Sequence, residues 1–161
     1  MNLLWYDYCP ETMQYVESWL DAEAVRSTGL EEGFSSFYEY WAEEDGFTVG
    51  ESFWCKVVCQ EETPFAVIAY CLHESKILIM EVVVAPEKRG QGLGTKLLKA
   101  LIARDEISGT AIQKWEAVIF LSNRASQRAF ASAGFRYHHT HQDGDAVYYV
   151  YERGQKEMAN Q

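Results

Sequence analysis

The chain has 161 residues, 48% of them hydrophobic and 24% charged, with a formal net charge of −10. That is the length of one ordinary domain, too apolar for intrinsic disorder, and its apolar runs, such as 77–80 and 82–85, are far short of the ~20 residues of a membrane helix. The acidity argues against nucleic acid as the main partner, and the absence of a basic leader with a small-residue cleavage site leads us to expect a cytoplasmic protein.

In chain order, a strand is expected near 3–8, and residues 10–27 carry Met13, Val16, Trp19, Leu20 and Ala24 at amphipathic-helix spacing. A second helical pattern, Phe34, Phe37, Tyr38 and Trp41, ends near Asp45-Gly46. Three strands follow at 53–60, 65–73 and 76–85, separated by breaks of hairpin length at 61–64 and 73–75. From Gly94 the pattern is helical, with Leu97, Leu98, Leu101 and Ile102 on one face. A buried strand is expected at 117–121 and a helix at 123–133 stopped by Gly134. Strands 135–141 and 146–151 pair across Asp143-Gly144-Asp145, and residues 152–161 read as a frayed tail. The order is that of a single α/β (α+β) domain over residues 1–152, a central mixed, mostly antiparallel twisted sheet flanked by helices.

The negative charge is confined to one end. Residues 1–64 hold 14 acids against two bases, Arg26 and Lys56, whereas residues 65–161 hold ten acids and twelve bases. Such a split permits a cationic partner on the N-terminal side and an anionic one on the C-terminal side; a solvated acidic surface is the alternative. The cysteines Cys9, Cys55, Cys59 and Cys71 form no CxxC pair and read as reduced, mostly buried thiols.

The most informative stretch is Val82-Val83-Val84-Ala85-Pro86-Glu87-Lys88-Arg89-Gly90-Gln91-Gly92-Leu93-Gly94-Thr95. It sets a glycine-rich loop between a strand and a helix N-terminus, where unpaired backbone N–H groups and the helix dipole attract an anion. Gly90, Gly92 and Gly94 allow close approach and positive φ, and Lys88, Arg89 and Lys96 add charge suited to a pyrophosphate. Spacing excludes two familiar phosphate loops. The Rossmann fingerprint needs glycine where Thr95 stands, and a Walker A loop needs Gly-Lys-Ser/Thr.

The Arg89-x-x-Gly92-x-Gly94 loop resembles that of the GCN5-related N-acetyltransferases (GNAT). One strand downstream, Asn123-x-x-Ser126-x-x-x-Phe130-x-x-x-Gly134-Phe135 is similar to the family's Asn-x-x-Ala-x-x-x-Tyr-x-x-x-Gly-Phe helix. The resemblance covers about 65–151, an acetyl-CoA-binding part, and leaves 1–64 as an acceptor-side part. It implies a GNAT-like fold in which the strand before the loop splays from its neighbour, leaving Val82, Val83 and Val84 to meet the pantetheine arm of acetyl-CoA, with one N–H near the thioester oxygen. It also implies that Arg89, Gly90, Gln91, Gly92, Leu93, Gly94 and Thr95 wrap the pyrophosphate, that Asn123 and Ser126 meet the cofactor, and that Phe130 borders the sulfur. The expected activity is transfer of acetyl to a primary amine of a cationic acceptor, such as an aminoglycoside, a polyamine or a peptide amine. A homodimer is compatible with the family; no metal, nucleic acid or membrane is implied.

An ammonium must lose a proton before it attacks. Glu81 is the only acid in 77–85, and burial on a strand would raise its pKa, which makes it the candidate for amine binding or general base. A structural Glu is the alternative, and the family also places the base at what are here Met80 and Leu78. The family's general acid is a tyrosine where this chain has Phe130; Tyr137, His138 or a water could take its place, or the protein could be an acetyl-CoA-binding sensor with little catalysis. His138, His139 and His141 suggest an exposed hairpin more than a metal site. Phe34, Phe37, Tyr38 and Trp41 read as helix-to-sheet packing, with Glu39 and some of them as alternative pocket residues.

Overall fold

Apolar residues alternate along the central strands, and in the computed structural model, which describes residues 2–43 and 47–154, that alternation feeds two cores. Ile68, Tyr70, Ile77 and Ile79 enter one, and Val67, Ala69, Cys71 and Val83 the other, because successive strand residues point to opposite faces. The strands are β1 (Leu3–Asp7), β2 (Phe53–Gln60), β3 (Thr63–His73), β4 (Lys76–Val84), β5 (Glu106–Ile107), β6 (Thr110–Ala111), β7 (Lys114–Phe120), β8 (Arg136–Thr140) and β9 (Ala146–Glu152). The helices are α1 (Ala22–Thr28), α2 (Phe34–Ala42), α3 (Leu93–Ile102) and α4 (Arg124–Ser132), with 3-10 turns at Gln14–Trp19 and Pro86–Lys88. Seven strands form one sheet in the order β1-β2-β3-β4-β7-β9-β8, while β5 and β6 make a separate hairpin. Only β4 and β7 run parallel. The fold is therefore the mixed, mostly antiparallel α+β arrangement expected.

One face of the sheet is covered by α3 and α4 through Leu93, Leu97, Leu98, Leu101 and Phe130. The other is covered over β1–β4 by Val16, Trp19 and Phe34. Phe37, Tyr38 and Trp41 pack against this second core, Tyr38 approaching Tyr8 edge-on at 5.1 Å, which is the helix-to-sheet packing their spacing suggested. Among the described residues no helix is long and apolar enough to cross a membrane.

Three elements differ from expectation. Residues 10–27 are not one helix: the 3-10 turn ends at Trp19, and Asp21, in extended conformation, accepts a hydrogen bond from Ala24 N at 2.9 Å and starts α1 afresh. An Asp side chain competes with helix continuation by capping the next helix, so apolar spacing alone overstates the length. The β5–β6 hairpin, turning through Ser108 and Gly109 at φ 54 and 77, was absent from the sequence reading because its strands are too short to show a period. The tail begins later than expected. Glu152 ends β9, and Arg153 donates to Ile112 O and Arg104 O and pairs with Asp105 at 3.1 Å. Residues 44–46, which include the expected stop of the second helix, and residues 155–161 lie outside the described residues.

Candidate functional site

The ladder between β4 and β7 runs only over Lys76–Ile79 and Lys114–Ala117. Beyond it the two strands part, and the next residues of both line a pocket of about 60 Å³: Met80, Glu81 and Val82 from β4, and Val118, Ile119 and Phe120 from β7. On the α3/α4 side lies a larger cavity of about 590 Å³ lined by Val82–Val84, Lys88–Gly90, Gly92–Thr95, Asn123, Ser126 and Phe130. Val82, Asn123, Ser126 and Phe130, with Ser27 and Thr28, line both, so the two spaces meet at the splay.

Local sequence shapes the anion end of the larger cavity. Gly90 and Gly92 have φ 77 and 76, which L side chains adopt only with strain. Gly92 is the N-cap of α3, and the N–H groups of Leu93, Gly94 and Thr95 precede the first intrahelical bond, Lys96 N to Gly92 O. Such a turn offers several N–H donors and the positive helix end to a phosphate. Gly94 does not have positive φ; it lies inside α3, where an added Cβ would stand 3.7 Å from Ala129 Cβ. The positive φ expected of it is absent, and the added Cβ would make only ordinary contact.

Arg89 lines the cavity, yet its guanidinium is committed to protein. It donates to Val84 O at 3.2 Å and Trp19 O at 3.0 Å, and pairs with Asp21 at 2.8 Å. It therefore braces the glycine-rich loop against the start of α1. Gln91 donates to Glu87 O, and neither Gln91 nor Lys96 lines the cavity. Lys88 does, together with Arg128 of α4, which sequence reading did not single out. Nor did it find Ser27 and Thr28, whose arrival at the cleft depends on where α1 ends in space; Asn123 Nδ2 donates to Ser27 O at 3.4 Å and ties α1 to α4.

Glu81 reaches its place through a bulge. In the β3–β4 ladder Ala69 faces Glu81 and Tyr70 faces Ile79, leaving Met80 as the extra residue. The bulge puts Glu81 on the face of Ala69, the second core, instead of the face of Ile79 and Val82. Burial pushes its carboxyl up to about 8, so a large share of the group is protonated at neutral pH. Leu78 and Met80 pack against the same second core.

Phe130 is buried at the junction and stacks edge-on with Phe135 at 4.8 Å, so that position supplies no hydroxyl. Tyr137 and His138 do not replace it. They belong to β8, separated from β7 by β9, and Tyr137 bonds Thr140 on the exposed edge. Two ladder spacings put them about 10 Å from β7 and farther from β4. The histidines stack on one another and on Tyr148. Among the described residues no group of three or more His, Cys, Asp or Glu is placed to hold a metal ion. None of the α2 aromatics lines either space, and Glu39 is exposed.

A parallel strand pair thus parts beside a helix-capping glycine loop, with a buried carboxyl lining the smaller of the two spaces. A model of the acetyltransferase (GNAT) family matches residues 12–135. The chain belongs to this family, a class of acetyl-CoA-dependent N-acetyltransferases. The aminoglycoside acetyltransferase AAC(6')-Ib, solved in complex with coenzyme A, superposes with a TM-score of 0.73 at 20% identity, covering 99% of this chain and 100% of the other. The Campylobacter jejuni N-acetyltransferase PseH, in complex with acetyl coenzyme A, gives 0.67 at 14% identity over 95% of this chain and 100% of its own. Among curated proteins, the L-2,4-diaminobutyric acid acetyltransferase of Halalkalibacterium halodurans is 37% identical over 65 residues, which are 40% of this chain and 33% of that protein.

Proposed function

We propose that the protein transfers acetyl from acetyl-CoA to a primary amine of a cationic acceptor by direct attack. The observation that carries this reading is the meeting of the two spaces at the β4–β7 splay. The larger one fits the donor: the Gly90–Thr95 turn and Lys88 suit its pyrophosphate, and the backbone of Val82–Val84 borders the path to the junction. The smaller one brings Glu81 to the same junction from the acceptor side. When bound, the donor supplies an activated acetyl thioester. An N–H of the Val82–Val84 run can stabilise the carbonyl oxygen as negative charge develops on it, and Glu81, once ionised, takes a proton from the ammonium directly or through water so that the neutral amine can attack.

A cationic acceptor is supported by the charge split of the sequence and by the diaminobutyrate and aminoglycoside amines named for two relatives. The four cysteines are free, which suits a reducing cytoplasm. Release of coenzyme A, followed with a thiol reagent over a panel that includes L-2,4-diaminobutyrate, an aminoglycoside and a polyamine, tests the reading alongside calorimetric titration of acetyl-CoA. Amine-stimulated thiol release is expected. Binding without release would favour a second reading, an acetyl-CoA sensor, which the phenylalanine at 130 supports; no binding would overturn both.

A further inference from the structure

The leaving sulfur has to accept a full negative charge at the junction, and six residues border both spaces there: Ser27, Thr28, Val82, Asn123, Ser126 and Phe130. Three of them have no side-chain hydrogen to offer the sulfur. Val82 and Phe130 have no polar side-chain atom. Thr28 donates its hydroxyl hydrogen to Ala24 O at 2.7 Å. Asn123 is held at both ends, its Oδ1 accepting from Ser126 N at 3.1 Å and its Nδ2 donating one of its two hydrogens to Ser27 O at 3.4 Å, which turns the amide towards α1. Of the hydroxyls, that leaves those of Ser27 and Ser126, whose hydrogen bonds run through their backbone O and N and leave the side-chain Oγ atoms unused among the described residues.

The helix dipoles separate these two. Ser27 lies in the last turn of α1, where the partial charge is negative; Ser126 lies in the first turn of α4, where it is positive and favours an anion. Ser126 is also four residues before Phe130, hence on the same helix face and one turn nearer the helix start. We propose that Ser126 is a catalytic residue whose hydroxyl hydrogen-bonds the departing sulfur in the position that Phe130 leaves without a donor. This rests on the donor occupying the larger cavity as described above.

The step balances without a proton from the serine. Before attack the ammonium gives one proton to Glu81 and on to solvent; the neutral amine nitrogen then forms the C–N bond, the C–S bond breaks with its electron pair going to sulfur, and the nitrogen's second proton passes to solvent, through the again-ionised Glu81 or water, as the amide forms. Coenzyme A departs as a thiolate hydrogen-bonded to Ser126 Oγ and is protonated by water; thiol pKa values of ~8.5 make that departure feasible near neutrality.

The test is a set of variants assayed with whichever amine of the panel gives turnover, together with calorimetric acetyl-CoA affinity. Ser126→Ala is expected to lower kcat about tenfold or more, the worth of a hydrogen bond to a charged group, with acetyl-CoA affinity unchanged. Ser126→Thr should keep most of the rate, and adding Phe130→Tyr to Ser126→Ala should restore part of it by supplying a phenol one turn along. Equal losses in the Ala and Thr variants would mean packing and overturn the proposal. So would an unchanged rate in Ser126→Ala, or a loss confined to Ser27→Ala. Failure of the unmodified protein to bind acetyl-CoA would instead remove the underlying reading of the cavity.

Discussion

Ala69 and Glu81 face one another across the β3–β4 ladder while Met80 has no residue opposite. That single inserted residue decides which side of the sheet receives the carboxyl. On the second-core side, Glu81 is desolvated and its carboxyl is raised to about 8. A base must be ionised to work, so kcat/KM is expected to climb with pH up to about 8 and then level. Glu81→Gln should lower turnover at least about 100-fold at pH 8 and flatten that limb, with acetyl-CoA affinity intact in calorimetry.

The same shift has a consequence for stability. A carboxyl whose folded pKa is raised holds its proton more tightly folded than unfolded, so stability falls as pH rises from about 4.5 towards 8. Glu81→Gln should therefore raise Tm at pH 8 and have little effect at pH 4.5, which thermal unfolding at the two pH values would check.

Two glycines of the loop separate folding from binding. Ala at Gly92 must adopt φ 76, and the surroundings are open, so the penalty is backbone strain of about 1–2 kcal/mol. Ala at Gly94 meets Ala129 at ordinary contact distance and should leave the free protein as stable or slightly more so. A loss of acetyl-CoA affinity in Gly94→Ala without a drop in Tm would report how closely the donor passes α3.

Glu17 caps α2 from outside that helix. Its two carboxylate oxygens accept from Phe34 N at 2.7 Å and Ser35 N at 2.9 Å. Glu17→Ala removes both acceptors and is expected to cost about 1–2 kcal/mol, lowering Tm by roughly 2–4 °C per kcal/mol. Denaturant unfolding should show a lower midpoint with an unchanged slope.

Asp21 couples α1 to the loop. The backbone N–H of Ala24 and then the Arg89 guanidinium hold its carboxyl below the usual range. That contribution is present above the unfolded pKa and fades as pH falls through the lower folded value. Asp21→Asn should keep an Ala24 cap but weaken the Arg89 brace, raising the KM for acetyl-CoA more than it lowers Tm.

Much of this protein is written locally. The alternation from Phe53 to Val84, the amphipathic run after Gly92, and the Gly90-x-Gly92 turn each depend on residues close together in the chain, so length, period and backbone freedom were enough to place strands, helix and glycine turn. The family motifs around Arg89 and Asn123 added the splay. The sequence alone could not choose the face of Glu81, because period-2 alternation through Ile79 predicts the opposite side and only pairing with β3 creates the bulge. It counted Arg89 as free charge, but Asp21, 68 residues away, partners it. It treated Ser27 as an ordinary helix residue, whereas Asn123, 96 residues on, brings it to the cleft. It counted the acids of residues 1–64 as charge that permits a cationic partner, whereas two of them, Glu17 and Asp21, are occupied as caps. Local order follows from backbone sterics and hydrophobic period; register, ion pairing and the meeting of Ser27 with Ser126 exist only once distant segments pack.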